Sequence, residues 1–202
     1  MAKNIFIARH GLTQWNLEGK VQGQYVRSRH ALLKALTRPF LGVVLTPKSD
    51  IPLLEGGIKQ AYALAEKIRD EKIPISKILT SPLQRAKKTA QIVSEVNNIE
   101  VFDEPALTEW CFGKFEGIPH PKEFHEAKKQ FANSYESGES LLKLSQRVYN
   151  LLDRIKNEES DNILLVTHGG VAKVIHSYFF DMTNEEFSSF FLENCEIREY
   201  NF

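Results

Sequence analysis

An arginine, a histidine and a glycine stand together directly after a short apolar run near the N-terminus. The stretch IFIARHGLTQWN begins at Ile5, and Arg9, His10 and Gly11 follow its four apolar residues. An arginine side chain offers a planar fork of donors that matches phosphate oxygens, and glycine lets a backbone approach a ligand closely. A histidine is a nucleophile at neutral pH when a backbone acceptor holds one ring nitrogen and the other is free. The tripeptide indicates phosphoryl chemistry; a capped strand end with a surface Arg–His pair is the alternative.

Two further stretches place chemistry-bearing residues after an apolar run. In LTSPLQRAKKTA, Ser81 is predicted to cap a helix that has Pro82 at its first position, and Arg85 lies one turn in. A helix N-terminus attracts anions, although Arg85 could equally belong to a solvated basic face. In VTHGG, His168 follows the most apolar strand candidate and two glycines open the next helix. The order of strand, histidine and glycine occurs twice. This repetition favours a functional role for His168 over a purely structural histidine whose hydrogen bonds are satisfied within the core.

A carboxylate among aromatic residues is the fourth candidate. In LTEWCFGKFEG, Glu109 is followed by Trp110, Phe112 and Phe115. Desolvation in such surroundings favours the protonated carboxyl group, which could then donate a proton near neutrality. Glu116 is the rival candidate for this acid. The structural alternative is that both carboxylates only cap loops.

Alternating strand and helix patterns must position these residues. Helical spacing of apolar residues predicts helices over 57–72, 82–96 and 140–156. Short apolar runs predict strands buried on both faces, which are Ile5–Ala8, Lys77–Thr80, Ile99–Phe102 and Asn162–Thr167. The pattern favours an α/β fold in which helices flank a mostly parallel central sheet. Ligands bind beyond the carboxyl ends of strands in such sheets, so the candidates are expected at one edge.

Composition excludes several classes of protein. The 202 residues carry 26 Lys and Arg and 26 Asp and Glu. The formal net charge is therefore zero, and it gives no reason to expect binding to nucleic acid. Two cysteines, Cys111 and Cys195, have no metal-ligand or disulfide spacing, which favours a reducing, cytoplasmic environment. The N-terminal apolar run is too short for a signal peptide, and no run reaches the roughly 18 apolar residues of a membrane span. We expect a single domain over 1–202, with no membrane partner.

A basic segment interrupts this pattern at about 24–48. It carries Arg27, Arg29, Lys34, Arg38 and Lys48, and it has no acidic residue. We interpret it as an insertion at the rim of the first motif. Its apolar residues could cover the site as a lid for an anionic substrate or pack in a homodimer; a mobile surface loop is the third alternative. The apolar residues are Leu32, Leu33, Leu36 and Phe40.

Taken in order, the motifs resemble those of the histidine phosphatase superfamily, the phosphoglycerate mutase-like proteins. RHG with Thr13 and Asn16 is similar to the family signature, and SPLQRAKKTA, LTEWCFGKFEG, Gly138–Ser140 and VTHGG follow in the family's order. The resemblance covers nearly the whole chain apart from 24–48. It implies a three-layer sandwich and a phosphomonoester substrate, and it implies no metal ion or cofactor.

The resemblance also implies roles for individual residues. His10 would attack phosphorus and form a phosphohistidine, while Arg9, Arg85 and His168 would bind the transferred phosphoryl group. Glu109 would protonate the leaving oxygen and then activate water. The remaining pocket residues implied for substrate binding are Thr13, Asn16, Gln22, Gly23 and Gly169.

The family contains both phosphatases and mutases. Mutases of the family carry a long segment after the Glu-Gly motif, whereas only about twenty residues separate Gly117 from Gly138 here. We therefore expect a phosphatase acting on a small phosphorylated substrate. Phosphoglycerate mutase-type transfer and a phosphate-binding regulatory module are the alternatives, and the second is disfavoured because all five catalytic candidates are present. Histidine and lysine residues at 120–129 could face the pocket, but a solvated helix face is the expectation.

Overall fold

The computed structural model describes residues 4–24, 50–158 and 162–202. The predictions for the inserted segment, including the lid and the homodimer contact, fall on residues 25–48 and lie outside the described residues.

Five strands form one sheet. They are β1 Asn4–Arg9, β2 Lys77–Thr80, β3 Val101–Asp103, β4 Ile163–Thr167 and β5 Ile197–Asn201. Their order is β3-β2-β4-β1-β5, and all neighbours are parallel except β5, which pairs antiparallel with β1. The mostly parallel sheet is confirmed. The edge strand β5 was not predicted, because its charged sequence IREYN has no apolar run.

Seven α-helices lie in the described part of the chain. They are α1 Gln14–Leu17, α2 Glu55–Asp70, α3 Gln84–Asn97, α4 Lys122–Lys128, α5 Leu141–Lys156, α6 Gly169–Phe179 and α7 Asn184–Ser189. Single 3-10 turns cover Pro105–Leu107 and Gly113–Phe115. None of these helices is long and apolar enough to cross a bilayer.

Alternate strand residues enter two separate apolar layers. Ile5 and Ile7 of β1 pack with α5 and α6 on one face of the sheet. Phe6 and Ala8, the alternate residues of the same strand, pack with α2 and α3 on the other face. Both faces are covered, so the strands are apolar throughout, and the helix–sheet–helix sandwich is confirmed.

Several predicted boundaries differ from the observed ones, and the helix predicted over 57–72 covers Glu55–Asp70. Two of the differences are explained by specific contacts. The third strand begins at Val101 rather than Ile99, because α3 continues to Asn97 and Asn98 ends it in a left-handed conformation. The same helix begins at Gln84 with Leu83 as its N-cap, not after Ser81. The Ser81 hydroxyl accepts from the Leu83 N–H at 3.3 Å, just before the helix, and contacts His168 across the sheet edge.

The loop that follows β1 lies against the start of α2. A Cβ atom on Gly57 would lie 2.2 Å from the Leu12 carbonyl oxygen and 2.7 Å from its nitrogen. Gly11 has a similarly close neighbour, because a Cβ atom on Gly11 would lie 2.4 Å from the Gly57 carbonyl oxygen. The Leu54 N–H also donates to the Leu12 carbonyl at 3.0 Å. Glycine at both positions lets α2 hold the loop next to His10.

We predict that Gly57→Ala destabilises the protein by about 1–3 kcal/mol, because the new methyl group meets backbone that cannot rotate away. Gly56→Ala is the matched control, since nothing lies within 4 Å of its Cβ position; it should be neutral or stabilising by up to about 1 kcal/mol. Urea unfolding of both variants is the measurement, and equal stability would contradict the close-packing argument.

Candidate active site

The register of β1 and β4 brings two histidines together. Arg9 pairs with Thr167 in the parallel ladder, so His10 and His168 leave neighbouring strands at the same level. Their ring centroids are 5.1 Å apart. The His10 N–H donates to the Thr167 carbonyl at 3.0 Å, which continues the ladder by one residue. The two histidines therefore meet because of strand pairing and not because of a long loop.

The orientation of His10 is fixed at both ring nitrogens. Its Nδ1 lies 2.7 Å from the Gly11 carbonyl oxygen, and Arg85 Nε donates to its Nε2 at 3.3 Å. A carbonyl accepts and a guanidinium donates, so these partners assign the proton to Nδ1 and the lone pair to Nε2. The Asn194 amide also donates to the His10 carbonyl at 2.8 Å. Backbone and side chain together present Nε2 as the nucleophilic nitrogen.

His168 is held by Ser81, which lies just after β2 on the other side of β4. Its Nε2 lies 2.8 Å from Ser81 Oγ, and Ser81 follows β2 directly. The other ring nitrogen, Nδ1, is buried and has no hydrogen-bond partner among the described residues. If the Ser81 hydroxyl donates to Nε2, Nδ1 carries the proton and can donate to an anion.

Two guanidinium groups complete this cluster. Arg85 is fully buried, and its Nη2 donates to the Gly23 carbonyl at 3.2 Å. Arg9 Nη1 donates to the Leu192 carbonyl at 2.9 Å, and its guanidinium carbon lies 5.1 Å from the centroid of the Phe191 ring. The Nε atom of Arg9 is buried without a partner in the described part of the chain. These cations are positioned to receive an anion with several oxygens.

Burial and the arginines control protonation. Burial lowers the pKa of His10 well below its ordinary value, and the charges of Arg85 and Arg9 lower it further, although the Gly11 carbonyl opposes them. The pKa of His168 is lowered by burial first and then by Arg85, His10 and Arg9. Burial lowers the pKa of Arg85 to about 10, against the opposing carboxylates of Glu109, Asp50 and Glu116. At neutral pH the cluster holds two cations and two neutral imidazoles.

Glu109 lies beside the cluster and is held by two backbone donors. Its Oε1 accepts from the Trp110 N–H at 2.8 Å, and its Oε2 accepts from the Gly170 N–H at 3.2 Å. The backbone of Glu109 is fixed by Arg147, whose Nη2 donates to its carbonyl at 3.3 Å. Arg147 is itself paired with both carboxylate oxygens of Glu139, at 2.7 and 2.9 Å. The segment Gly138–Ser140 thus contributes to the site in two ways. Glu139 orients Arg147, and the Ser140 hydroxyl caps α5.

Glu116, the rival carboxylate, faces elsewhere. Its Oε1 accepts from the Phe112 N–H at 3.1 Å and would lie 2.5 Å from a Cβ atom on Gly23. This places Glu116 against the loop at Gly23, whereas Glu109 lines the cavity described next.

A cavity of about 450 Å³ opens above the cluster. Six of the predicted site residues line it: Arg9, His10, Asn16, Gln22, Glu109 and Gly169. Arg85 and His168 are fully buried next to His10. Thr13 is also fully buried and lies behind the lining, with its hydroxyl 2.9 Å from Gln22 Oε1. Gly23 contributes its carbonyl to Arg85, so Thr13 and Gly23 support the pocket from behind.

The walls of the cavity include residues that the sequence did not identify correctly. His120, His125, Lys128 and Lys129 line it; the expected solvated face holds for His120, His125 and Lys129, which are exposed, whereas Lys128 is partly buried. Lys20, Lys173 and the segment Phe187–Leu192 also line it and were missed. Lys173 sits in the apolar helix α6, where no local pattern distinguishes it from a solvent-exposed lysine. Within the described residues, no group of three His, Cys, Asp or Glu side chains is arranged to hold a metal ion.

The α/β fold and this basic, histidine-containing pocket indicate an enzyme. A sequence profile of the histidine phosphatase superfamily (branch 1) matches residues 29–202. The chain belongs to this superfamily, as its motifs predicted, and it is an enzyme of the superfamily.

Individual relatives are distant and carry different names. The chain is 27% identical over 208 residues to "Probable phosphoglycerate mutase GpmB" of Yersinia pestis (strain Pestoides F), with 98% of this chain and 84% of the relative covered. It is 28% identical to the solved phosphoserine phosphatase of Entamoeba histolytica in complex with 3-phosphoglyceric acid, with 97% and 89% covered and a TM-score of 0.71. A mycobacterial glucosyl-3-phosphoglycerate phosphatase shares the fold at 21% identity and a TM-score of 0.74, with 98% and 89% covered.

We predict that His10 and His168 remain neutral to pH values well below the ordinary histidine pKa, because burial lowers the pKa of both. Their ring nitrogen NMR signals should keep the neutral pattern at pH values where an ordinary histidine, with a pKa of about 6.5, is half protonated. Since the unfolded chain takes up these protons first as the pH falls, the free energy of unfolding should decrease below about pH 6.5. Ring signals of either residue that titrate near 6.5 would contradict the burial argument.

Proposed function

We propose that this protein is a metal-independent phosphatase that hydrolyses a small phosphomonoester through a phosphohistidine on His10. The observation that carries the proposal is the pair of contacts to the His10 ring. The Gly11 carbonyl holds Nδ1 at 2.7 Å, and Arg85 approaches Nε2 at 3.3 Å. The lone pair of Nε2 is thus directed to the place where a guanidinium would bind phosphoryl oxygens.

In the first step, His10 Nε2 attacks phosphorus as the bond to the leaving oxygen breaks. Charge on the phosphoryl oxygens is stabilised by Arg9, Arg85 and His168, which are fixed before the reaction begins. Glu109, when protonated, gives its proton to the leaving oxygen, and the alcohol departs. In the second step, the Glu109 carboxylate takes a proton from water as the water attacks phosphorus. The nitrogen–phosphorus bond breaks, which returns His10 neutral and releases phosphate.

Mutase activity is the second candidate, and the name of the Yersinia relative favours it. A mutase must pass the phosphoryl group back to a bound acid rather than to water. The short segment between Gly117 and Gly138 favours water as the acceptor. Product analysis with a phosphoglycerate distinguishes the two, because a mutase isomerises it and a phosphatase releases inorganic phosphate.

We predict that His10→Ala lowers phosphate release from 4-nitrophenyl phosphate by at least about a thousandfold, as expected when a nucleophile is removed. The wild-type rate should be unaffected by a metal chelator. Circular dichroism establishes that the variant is folded. Turnover by folded His10→Ala protein within about tenfold of the wild-type rate would refute the nucleophile assignment.

We predict that Glu109→Gln slows hydrolysis by about 100-fold to 10,000-fold for an alkyl phosphate, and by much less for 4-nitrophenyl phosphate, whose leaving group needs little protonation. Glu116→Gln is the matched control and should show no such dependence on the leaving group. If the Glu116 variant shows that dependence and the Glu109 variant does not, the two roles must be exchanged.

A further inference from the structure

Arg147 reaches from α5 to both ends of the turn that leads to Glu109. Its Nη1 donates to the Ala106 carbonyl at 2.6 Å, and its Nη2 donates to the Glu109 carbonyl at 3.3 Å. Its Nε and Nη2 also pair with the two carboxylate oxygens of Glu139, at 2.7 and 2.9 Å. The two side chains are only 22% and 14% exposed. A planar, two-point pair that is withdrawn from water fixes geometry in a way that an exposed ion pair does not.

The contact with the Glu109 carbonyl acts on the carboxylate of the same residue. The Glu109 carbonyl and the Trp110 N–H belong to one planar peptide unit, and this N–H donates to Glu109 Oε1 at 2.8 Å. Arg147 binds the oxygen end of the unit, so it fixes the direction in which the N–H end points. Rotation of the unit would remove this donor and bring a carbonyl oxygen towards the carboxylate. A donor to the carbonyl also polarises the unit and strengthens its N–H as a donor.

Glu139 holds the same turn through its own backbone. The Trp110 indole N–H donates to the Glu139 carbonyl at 2.7 Å. The Glu139 N–H in turn donates to the Cys111 carbonyl at 2.8 Å. Glu139 therefore holds both Arg147 and the residues that follow Glu109, and the two residues act on the peptide unit together.

The backbone that leads to Glu139 is in an unfavourable conformation. Tyr135, Glu136 and Ser137 have φ angles of 52°, 49° and 78°. This left-handed region is disfavoured for residues with a side chain, and it is maintained only where surrounding contacts impose it, often at functional sites. Here the Lys114 N–H donates to the Tyr135 carbonyl at 3.2 Å. The contacts that maintain this turn also determine where Glu139 lies.

A second arginine on α5 provides a comparison. Arg154 lies two helical turns after Arg147 and pairs with the carboxylates of Glu104 and Glu158. Its side chain is 57% exposed. Arg154 thus carries the same charge on the same helix in an exposed ion pair, the kind that contributes little.

We propose that Arg147 is a positioning residue for the leaving-group acid: it holds the peptide unit between Glu109 and Trp110 so that the N–H is directed at the Glu109 carboxylate. The proposal rests on the acid role proposed above for Glu109. Without this hold, the carboxyl group is poorly aligned with the leaving oxygen, whereas the groups that bind the phosphoryl oxygens stay in place. The first step should then slow only as far as the leaving oxygen needs a proton.

A matched pair of esters tests the proposal. 4-Nitrophenyl phosphate and 4-nitrobenzyl phosphate have similar shapes, but only the benzyl alcohol needs protonation to depart. Phosphate release gives kcat/KM, which reports the steps up to departure of the alcohol. Arg147→Met should lower kcat/KM by about 10-fold to 100-fold for the benzyl ester and by less than about threefold for the phenyl ester. Arg154→Met is the control and should leave both values within about threefold of the wild type.

Two further variants separate geometry from charge. Arg147→Lys keeps the charge but loses the planar fork, so it should show most of the loss for the benzyl ester. Glu139→Gln should shift the ratio of the two esters in the same direction by a smaller factor, and it decides the test if Arg147→Met does not fold. Wild-type behaviour of Arg147→Lys, an equal loss for both esters in Arg147→Met, or an unchanged ratio in Glu139→Gln would overturn the proposal.

A double variant shows whether Arg147 acts through Glu109. Once Glu109→Gln has removed the acid, adding Arg147→Met should not change the ratio of the two esters further. A further change as large as the one that Arg147→Met causes in the wild-type background would refute an action through Glu109.

Hydrogen exchange of the Trp110 amide in the resting enzyme separates this proposal from the proposed function. By NMR, this exchange should be at least about tenfold faster in Arg147→Met than in the wild type, because the peptide unit is released. Arg154→Met should exchange at the wild-type rate. Faster exchange in a protein that hydrolyses no phosphate ester would support the hold on the peptide unit and refute the phosphatase. Hydrolysis by the wild type with unchanged exchange in Arg147→Met would refute the positioning role alone.

Discussion

The pairing of β1 with β4 is the constraint on which the site depends. Because Arg9 lies opposite Thr167 in this register, the next residue of each strand is a histidine and the two rings meet. A shift of one residue would turn every side chain of β1 to the other face of the sheet. Ile5 and Ile7 pack in one apolar layer and Phe6 and Ala8 in the other, so a shift would exchange side chains of different size between two closely packed layers, which is costly. The core therefore sets the geometry of the reacting groups.

The site also depends on positive charge concentrated next to the two histidines. Arg85 is fully buried, and most of Arg9 is withdrawn from water as well. Burial lowers the pKa of both neighbouring histidines, and the charges of the two arginines lower it further. The same two cations that would bind a phosphoryl group thus help to keep His10 in its nucleophilic form. Glu109, Asp50 and Glu116 partly balance the field at Arg85, and Lys128 and Lys173, which also line the cavity, extend positive charge along its wall.

Features that depend on a local sequence pattern could be predicted from the sequence. Features that depend on contacts between distant residues could not. Apolar runs located β1, β2 and β4, and strand-end motifs identified His10 and His168. The edge strand β5 was missed because one side of it is exposed, so charged residues interrupt its pattern. Ser81 was assigned to a helix cap by a local rule, whereas its hydroxyl is used 87 residues away, at His168. Lys128 was expected in solvent, because nothing local shows that Phe124 anchors α4 to the core beside the cavity.

The most direct test concerns which nitrogen carries the phosphoryl group. Wild-type protein is mixed with a phosphomonoester, quenched in alkali, in which phosphohistidine survives, and examined by phosphorus NMR and peptide mass spectrometry. The contacts to the His10 ring predict a single phosphohistidine, substituted at Nε2 of His10, because Nδ1 is held by the Gly11 carbonyl. Phosphorylation at Nδ1, or on His168, would contradict the assignment of His10 Nε2 as the nucleophile.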